Sequence, residues 1–260
     1  SGEGGDDSIL GGGGNDTLFG DEGEGTALGS NGTALNLISA NAQSSNTNAE
    51  VGDVVIYSNV SQLEDGTPVS GRLILVATSD PDLPVNMSGP NNAEIRLNGV
   101  PDDEKVAPGA TATFRLEFFD PATGQPVALN STATVNDIDR TAPGDQESVA
   151  FSTSTFSAFG TTATTSLDVE DIGGFIRASG TEVVNPTDQD AWFSAAFENR
   201  EFIEFTLETR EIISSFSLSG DLIDDPVITP IEAGDDTIEG GSGQDLIFGQ
   251  GGDDSLSGDD

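Results

Sequence analysis

A nine-residue repeat at each end of the chain limits what it can fold into. Gly11–Phe19 reads GGGGNDTLF and Gly240–Phe248 reads GGSGQDLIF. Both fit one template: Gly, Gly, any, Gly, any, Asp, any, aliphatic, any. The template recurs in frame. Asp7 and Asp16 stand nine apart, as do Ile9 and Leu18; Asp236, Asp245 and Asp254 keep the same step, as do Ile238, Ile247 and Leu256. Six residues suit a turn and three a short strand. Glycines allow positive φ and let stacked turns approach closely. The aliphatic residue points inward, and the Asp points between turns, towards backbone carbonyl oxygens. A period of this kind specifies a parallel β-roll rather than a sequence of independent turns.

Calcium takes about six to eight hard oxygen ligands, so an Asp among carbonyls suits it. The repeat G-G-x-G-x-D-x-U-x is the calcium β-roll pattern. On these residues the two ends resemble the RTX nonapeptide repeats of bacterial type I secreted proteins, over roughly a fifth of the chain. The resemblance implies calcium at Asp7, Asp16, Asp236, Asp245 and Asp254. It also implies backbone carbonyl ligands at Gly11, Gly13, Gly240, Ser242, Gly249 and Gly251. It implies that one repeat makes half a coil, so repeat i stacks on repeat i+2. Asp236 then faces Asp254, with Asp245 on the opposite side. The same rule sends Asp7 to position 25, which is Gly25, so Gly20–Leu28 reads as a degenerate end of a roll. About three stacked units are needed for stability. Two arrangements complete the roll: continuation beyond this chain, or packing of the two blocks together.

The chain has 260 residues, with 46 acidic and 8 basic, a formal charge of −38. That charge opposes compaction unless cations bind, and it excludes a nucleic-acid partner, which requires a basic face. It fits a secreted, extracellular or cell-surface protein. Without Cys, no disulfide contributes to the fold. Without His, Ser-His and Cys-His nucleophile arrangements are excluded. No run of about 18 apolar residues spans a membrane. No signal peptide opens the chain, and its first and last residues fall inside repeats, so it reads as a piece of a longer polypeptide. Type I export, with a signal outside this segment, is what the resemblance implies.

Between the repeats the pattern is β. In Val54–Val60, Val55 and Tyr57 share one face; in Ala110–Phe119, Phe114, Leu116 and Phe118 alternate with Arg115 and Glu117, a half-buried strand. The turn Asp120–Pro126 is expected to close a hairpin between that strand and Val127–Ile138. Further strands are expected at Thr33–Ser39, Val69–Ser79, Ala93–Leu97, Ser148–Phe156, Ala163–Val169, Gly173–Ala178, Ala191–Phe197, Glu201–Glu208 and Glu211–Ser219. Asp221–Pro230 reads as a Pro-broken exit linker. The fold class is therefore all-β: an antiparallel, jelly-roll-like β-sandwich flanked by short parallel β-roll segments. The expected divisions are 1–28 repeats, 29–225 sandwich, and 226–260 linker and repeats.

Two interior clusters are candidate sites. Asp137 and Asp139 share a strand face, and Glu147 returns beside them; three carboxylates with only Arg140 close by in sequence suit a second calcium. The alternative is a solvated acidic loop. Asp188, Asp190 and Trp192 join carboxylates to the only Trp, an arrangement that suits a sugar-binding face, although Trp192 also begins an apolar run. The resulting reading is a calcium-dependent adhesin-like module whose sandwich binds a glycan or a surface protein, with neighbouring copies or adjacent domains as further partners. Its rivals are a calcium-stiffened spacer or surface-layer subunit, and a carboxylate-based polysaccharide enzyme.

Overall fold

The computed structural model describes residues 8–19, 30–88, 95–99, 106–210, 213–231, 236–249 and 254–258. Two large sheets face each other. The first runs, in spatial order, Leu167–Asp171, Phe175–Gly180, Ser148–Ser152, Phe202–Glu208, Thr111–Phe119, Pro68–Thr78, Val54–Gln62. The second runs Val227–Pro230, Ala158–Thr161, Phe193–Arg200, Leu129–Asn136, Ser214–Ser219, Ile95–Leu97, Val85–Asn86. Neighbours are antiparallel throughout. The short Ser30–Asn31 strand is the exception, lying parallel to Leu129–Asn136. Most of the expected first strand at Thr33–Ser39 is irregular chain, held to the sheets by a bridge from Asn36 to Ser219 and by backbone bonds such as Thr33 N–H to the Gln62 carbonyl and Gly220 N–H to the Leu35 carbonyl.

Alternation dictates the core. Phe114, Leu116 and Phe118 are buried from one sheet, and Phe193, Ala195 and Phe197 from the other. Rings meet across the sandwich: Phe118 stacks on Phe197 at 5.7 Å between centroids, and Phe151 on Phe193 at 5.3 Å. Phe156 fills the corner between Phe151 and Phe197. Such contacts add to the area that each ring buries.

The expected hairpin at Asp120–Pro126 is confined to its base, an antiparallel bridge from Phe119 to Pro126 with Val127 N–H donating to the Phe118 carbonyl. The turn itself closes, with the Asp120 N–H donating to the Gln125 carbonyl at 2.9 Å. Thr111–Phe119, however, pairs with Pro68–Thr78 and Phe202–Glu208, while Leu129–Asn136 joins the opposite sheet. The chain arches across the core because Phe118 and Val135 both bury inward from facing layers. Nor does Asp221–Pro230 act only as a linker. Val227–Pro230 is the edge strand of the second sheet, paired with Ala158–Thr161. Proline lacks a ladder donor, and an edge is where a strand bounded by Pro226 and Pro230 fits. The sandwich therefore extends past residue 225.

The two ends form one roll. Ser8–Leu10 pairs in parallel with Thr237–Glu239, which pairs in parallel with Ser255–Ser257. On the other side Thr17–Phe19 pairs with Leu246–Phe248. The N-terminal block is the first coil and the C-terminal block supplies the next, with the whole sandwich inserted between them. The registers align the inward aliphatics: Ile9 with Ile238 with Leu256, and Leu18 with Ile247.

Candidate metal centre

The seam between the blocks is built from the turns of the repeat. Turn 11–16 stacks on turn 240–245 through a ladder of backbone bonds. Gly11 N–H donates to the Glu239 carbonyl, Gly14 N–H to Ser242, Ser242 N–H to Gly12, and Leu246 N–H to Asp16. One carboxylate oxygen of Asp245 and one of Asp254 tether the neighbouring coil. Asp16 N–H donates to Asp245 Oδ1 at 3.0 Å, and on the opposite side Asp236 N–H donates to Asp254 Oδ1 at 3.0 Å. Asp236 thus meets Asp254, as the i, i+2 rule implies. The rule does not extend to the N-terminal block: the repeat carrying Ser8–Leu10 takes its neighbour from the C-terminal block, not from the region of Gly25. Asp7 and Gly251 lie outside the described residues.

With Oδ1 used in this way, Asp245 Oδ2 is buried without a hydrogen-bond partner, and so is Asp16 Oδ2. An ionised oxygen withdrawn from water in this state is costly unless a cation meets it. The glycines keep the space tight. A methyl added to Gly11 would lie 2.6 Å from the Gly240 carbonyl oxygen and 2.9 Å from Asp16 Oδ2; one on Gly240 would lie 2.5 Å from Asp245 Oδ2. The donor set is hard oxygen only: carboxylates and carbonyls. These three features fit calcium.

The interior acidic cluster has a different counter-ion. Asp139 and Glu147 do come together, with Asp139 N–H donating to Glu147 Oε2 at 3.1 Å and Glu147 N–H to the Asp139 carbonyl at 2.7 Å. Gly180 allows this approach, since a methyl there would lie 2.5 Å from the Ile138 carbonyl oxygen. Between the two carboxylates stands Arg210, 3.3 Å from Asp139 Oδ2 and 3.3 Å from Glu147 Oε1. Asp137, with a left-handed φ of 63°, is half-buried beside them. Among the described residues no three acidic side chains form a metal-ligand group. The expected second calcium at Asp137, Asp139 and Glu147 is therefore replaced by a guanidinium, and Arg140 is not the neutralising residue. Burial pushes the Glu147 carboxyl up to about 8, against the pull of Arg210. Burial, followed by the Asp139 charge, pushes Asp137 up to about 6. Arg210 lies 63 residues past Glu147, at a strand end in the first sheet's sequence neighbourhood, and no spacing in the sequence links the two.

Asp188, Asp190 and Trp192 are adjacent but turned to local duties. Asp188 caps the short 3-10 turn Gln189–Ala191, accepting from Asp190 N–H at 3.2 Å. Asp190 accepts from Thr162 and Thr164 hydroxyls. The half-buried Trp192 donates its indole N–H to the Pro186 carbonyl at 3.1 Å. The three close a loop onto the sandwich, and their polar groups are engaged there.

Comparison with known proteins agrees with the roll. The RTX calcium-binding nonapeptide repeat, in four copies, matches residues 1–27 and 232–260. Both termini of the chain are thus RTX calcium-binding repeats, and the match leaves the sandwich outside it. No curated protein matches significantly in sequence. Among solved structures, the fold is similar to the N-terminal domain of the Streptococcus gordonii adhesin Sgo0707. That likeness has a TM-score of 0.51 and 11% identity, over 78% of this chain and 59% of that one. The glucan-binding protein C of Streptococcus mutans gives a TM-score of 0.42 and 14% identity, over 66% of this chain and 58% of that one. This chain spans less than two thirds of either.

Proposed function

We propose that the chain is a calcium-clasped binding module of a secreted protein, working at or outside the cell surface. The observation that carries this reading is the single roll made from both ends, whose seam buries Asp16 Oδ2 and Asp245 Oδ2. Asp16 and Asp245 would hold calcium with carbonyls of Gly11, Gly13, Gly240 and Ser242. Asp236 and Asp254, with the Gly249 carbonyl, would serve the other side, and Asp7 and Gly251 belong to the same ligand pattern. Bound calcium supplies the positive charge that two facing carboxylates lack. The chain's own residues do the rest: the glycines let the turns close, and Asp245 and Asp254 tether the adjacent coil. Because the ligand set is assembled only when both ends meet, metal binding becomes folding free energy. At low calcium the ends remain apart, which suits export through a narrow path.

The sandwich would then be the part that meets a partner, a glycan or a surface protein, in an adhesive role. Its architectural likeness to a bacterial adhesin domain supports that reading at the level of fold. Binding is favoured over catalysis because the buried interior carboxylates Asp139 and Glu147 share the counter-ion Arg210. Titration calorimetry of the chain with calcium, alongside an Asp245→Asn variant, tests the clasp. Uptake weakened at least tenfold in the variant is expected; uptake indifferent to Asp245, or no uptake, rejects it. Binding to glycan and host-protein arrays in calcium and in chelator tests the adhesive role, which fails if no surface is bound in either.

A further inference from the structure

The outer face of the second sheet carries a feature that the calcium roll does not explain. Strand alternation turns Phe193, Ala195 and Phe197 inward and leaves Ser194 and Ala196 outward. Thr132, Ala158 and Gly160 continue this floor of small residues, and Leu222, Pro226 and Ile228 rise beside it. Together they leave an apolar cleft of about 210 Å³. Leu222 is 72% exposed and Ile228 57%, so large apolar side chains stand in water at its lip. The Val227–Pro230 strand, the last of its sheet among the described residues, contributes Ile228 as the outer wall of the cleft. Asp221, Asp224 and Asp225 are exposed on the same segment, and residues 211–260 contain no Lys or Arg.

We propose that this face binds an extended, cationic segment of a partner protein, in which an aliphatic residue stands two positions from a Lys or Arg. The segment lies across the outer face and seats one aliphatic side chain in the cleft, between Leu222 and Ile228. Size decides against a whole small molecule: such sites usually hold about 300–1,000 Å³. Lining decides against a sugar, whose hydroxyls need polar partners that this cleft scarcely offers. In an extended segment, residues i and i+2 share a face. A Lys or Arg two positions from the anchor therefore points the same way as the anchor, towards Asp221, Asp224 and Asp225 beside the cleft. The inference names a partner class for the adhesive reading and rests on it, but it uses only the sandwich.

The test uses the full chain in saturating calcium and a fluorescent octapeptide in which each Leu stands two positions from a Lys, with a peptide of equal charge carrying Ser for Leu as control. Binding of the Leu-Lys peptide at least about tenfold tighter than the control is expected, since an anchor residue of this kind contributes more than about 1 kcal/mol. Ala196→Trp should fill the cleft and lower that affinity about tenfold while the thermal midpoint holds. If that variant folds poorly, Ala158→Leu serves the same purpose. Asp224→Asn combined with Asp225→Asn should weaken binding and flatten its dependence on salt. Equal binding of the two peptides, or indifference to both cleft-filling variants, reduces the effect to diffuse charge attraction and overturns the proposal. Calcium uptake is measured separately, so loss of the clasp and loss of the peptide site are distinguishable.

Discussion

The sandwich and the roll bury apolar surface very differently. In the sandwich, Phe114, Phe118, Phe151, Phe156, Phe193, Phe197, Phe205 and Phe216 are all below 2% exposed. In the roll, Ile238 is buried at the centre, Ile9, Leu18 and Ile247 are half-buried, and Leu256 is 49% exposed. One aliphatic per half-coil removes too little surface from water to offset the ordering of nine residues at about 1–2 kcal/mol each. The same short stretch also stacks carboxylate on carboxylate. The sandwich therefore orders itself by its core, and the roll orders itself by an ion.

The largest expected difference between the two regions is their response to a chelator. Removing calcium should erase amide protection in 8–19, 237–249 and 254–257 and leave the amides of Phe114, Phe151 and Phe205 protected. Simultaneous loss in both regions would dissolve the distinction. Next in size is Phe151→Ala, which empties the space between Phe156 and Phe193 and should cost about 3–5 kcal/mol in urea unfolding. Calcium stoichiometry should be unchanged in that variant.

A smaller effect follows from Glu147. Its carboxyl keeps a proton up to about pH 8 in the folded chain and releases it near 4.5 once unfolded. This contribution to stability is full below about 4.5 and is lost as pH rises through 8. At saturating calcium, unfolding free energy should fall between those limits, and Glu147→Gln should flatten the profile. A profile indifferent to that substitution would mean that Arg210 holds Glu147 ionised throughout. Smallest of all is Arg115→Ala. Arg115 pairs with Glu204 at 3.1 Å and covers the Phe202 ring on the outer face of the first sheet. Exposed pairs of this type contribute less than about 1 kcal/mol, and a larger loss would make that face structurally important.

These contrasts also mark what the sequence could disclose. The alternation in Thr111–Phe119 and the template in Gly11–Phe19 are local periodicities, and each specified its element correctly. Partner choice is not local. Asp120–Pro126 announces a turn, but nothing in those residues says whether the following strand stays in the sheet or crosses the core. The repeat fixes stacking within a continuous run, so it cannot show that Asp16 meets Asp245 across 229 positions. Arg210 was missed for the same reason: a counter-ion in space leaves no spacing in the chain. The cleft did leave a trace, in the small outward residues Ser194 and Ala196 between inward phenylalanines.

Insertion of the sandwich between two coils has a mechanical consequence. The first coil and the last strand belong to one parallel stack, so a pull applied at the two termini loads that stack in shear. Tension passes from Thr17–Phe19 to Leu246–Phe248 through hydrogen bonds and metal, and the inserted domain stays slack. Calcium then acts as the fuse of a short circuit: while it holds, the sandwich bears no load, and when it yields, more than two hundred residues are placed in line with the force at once.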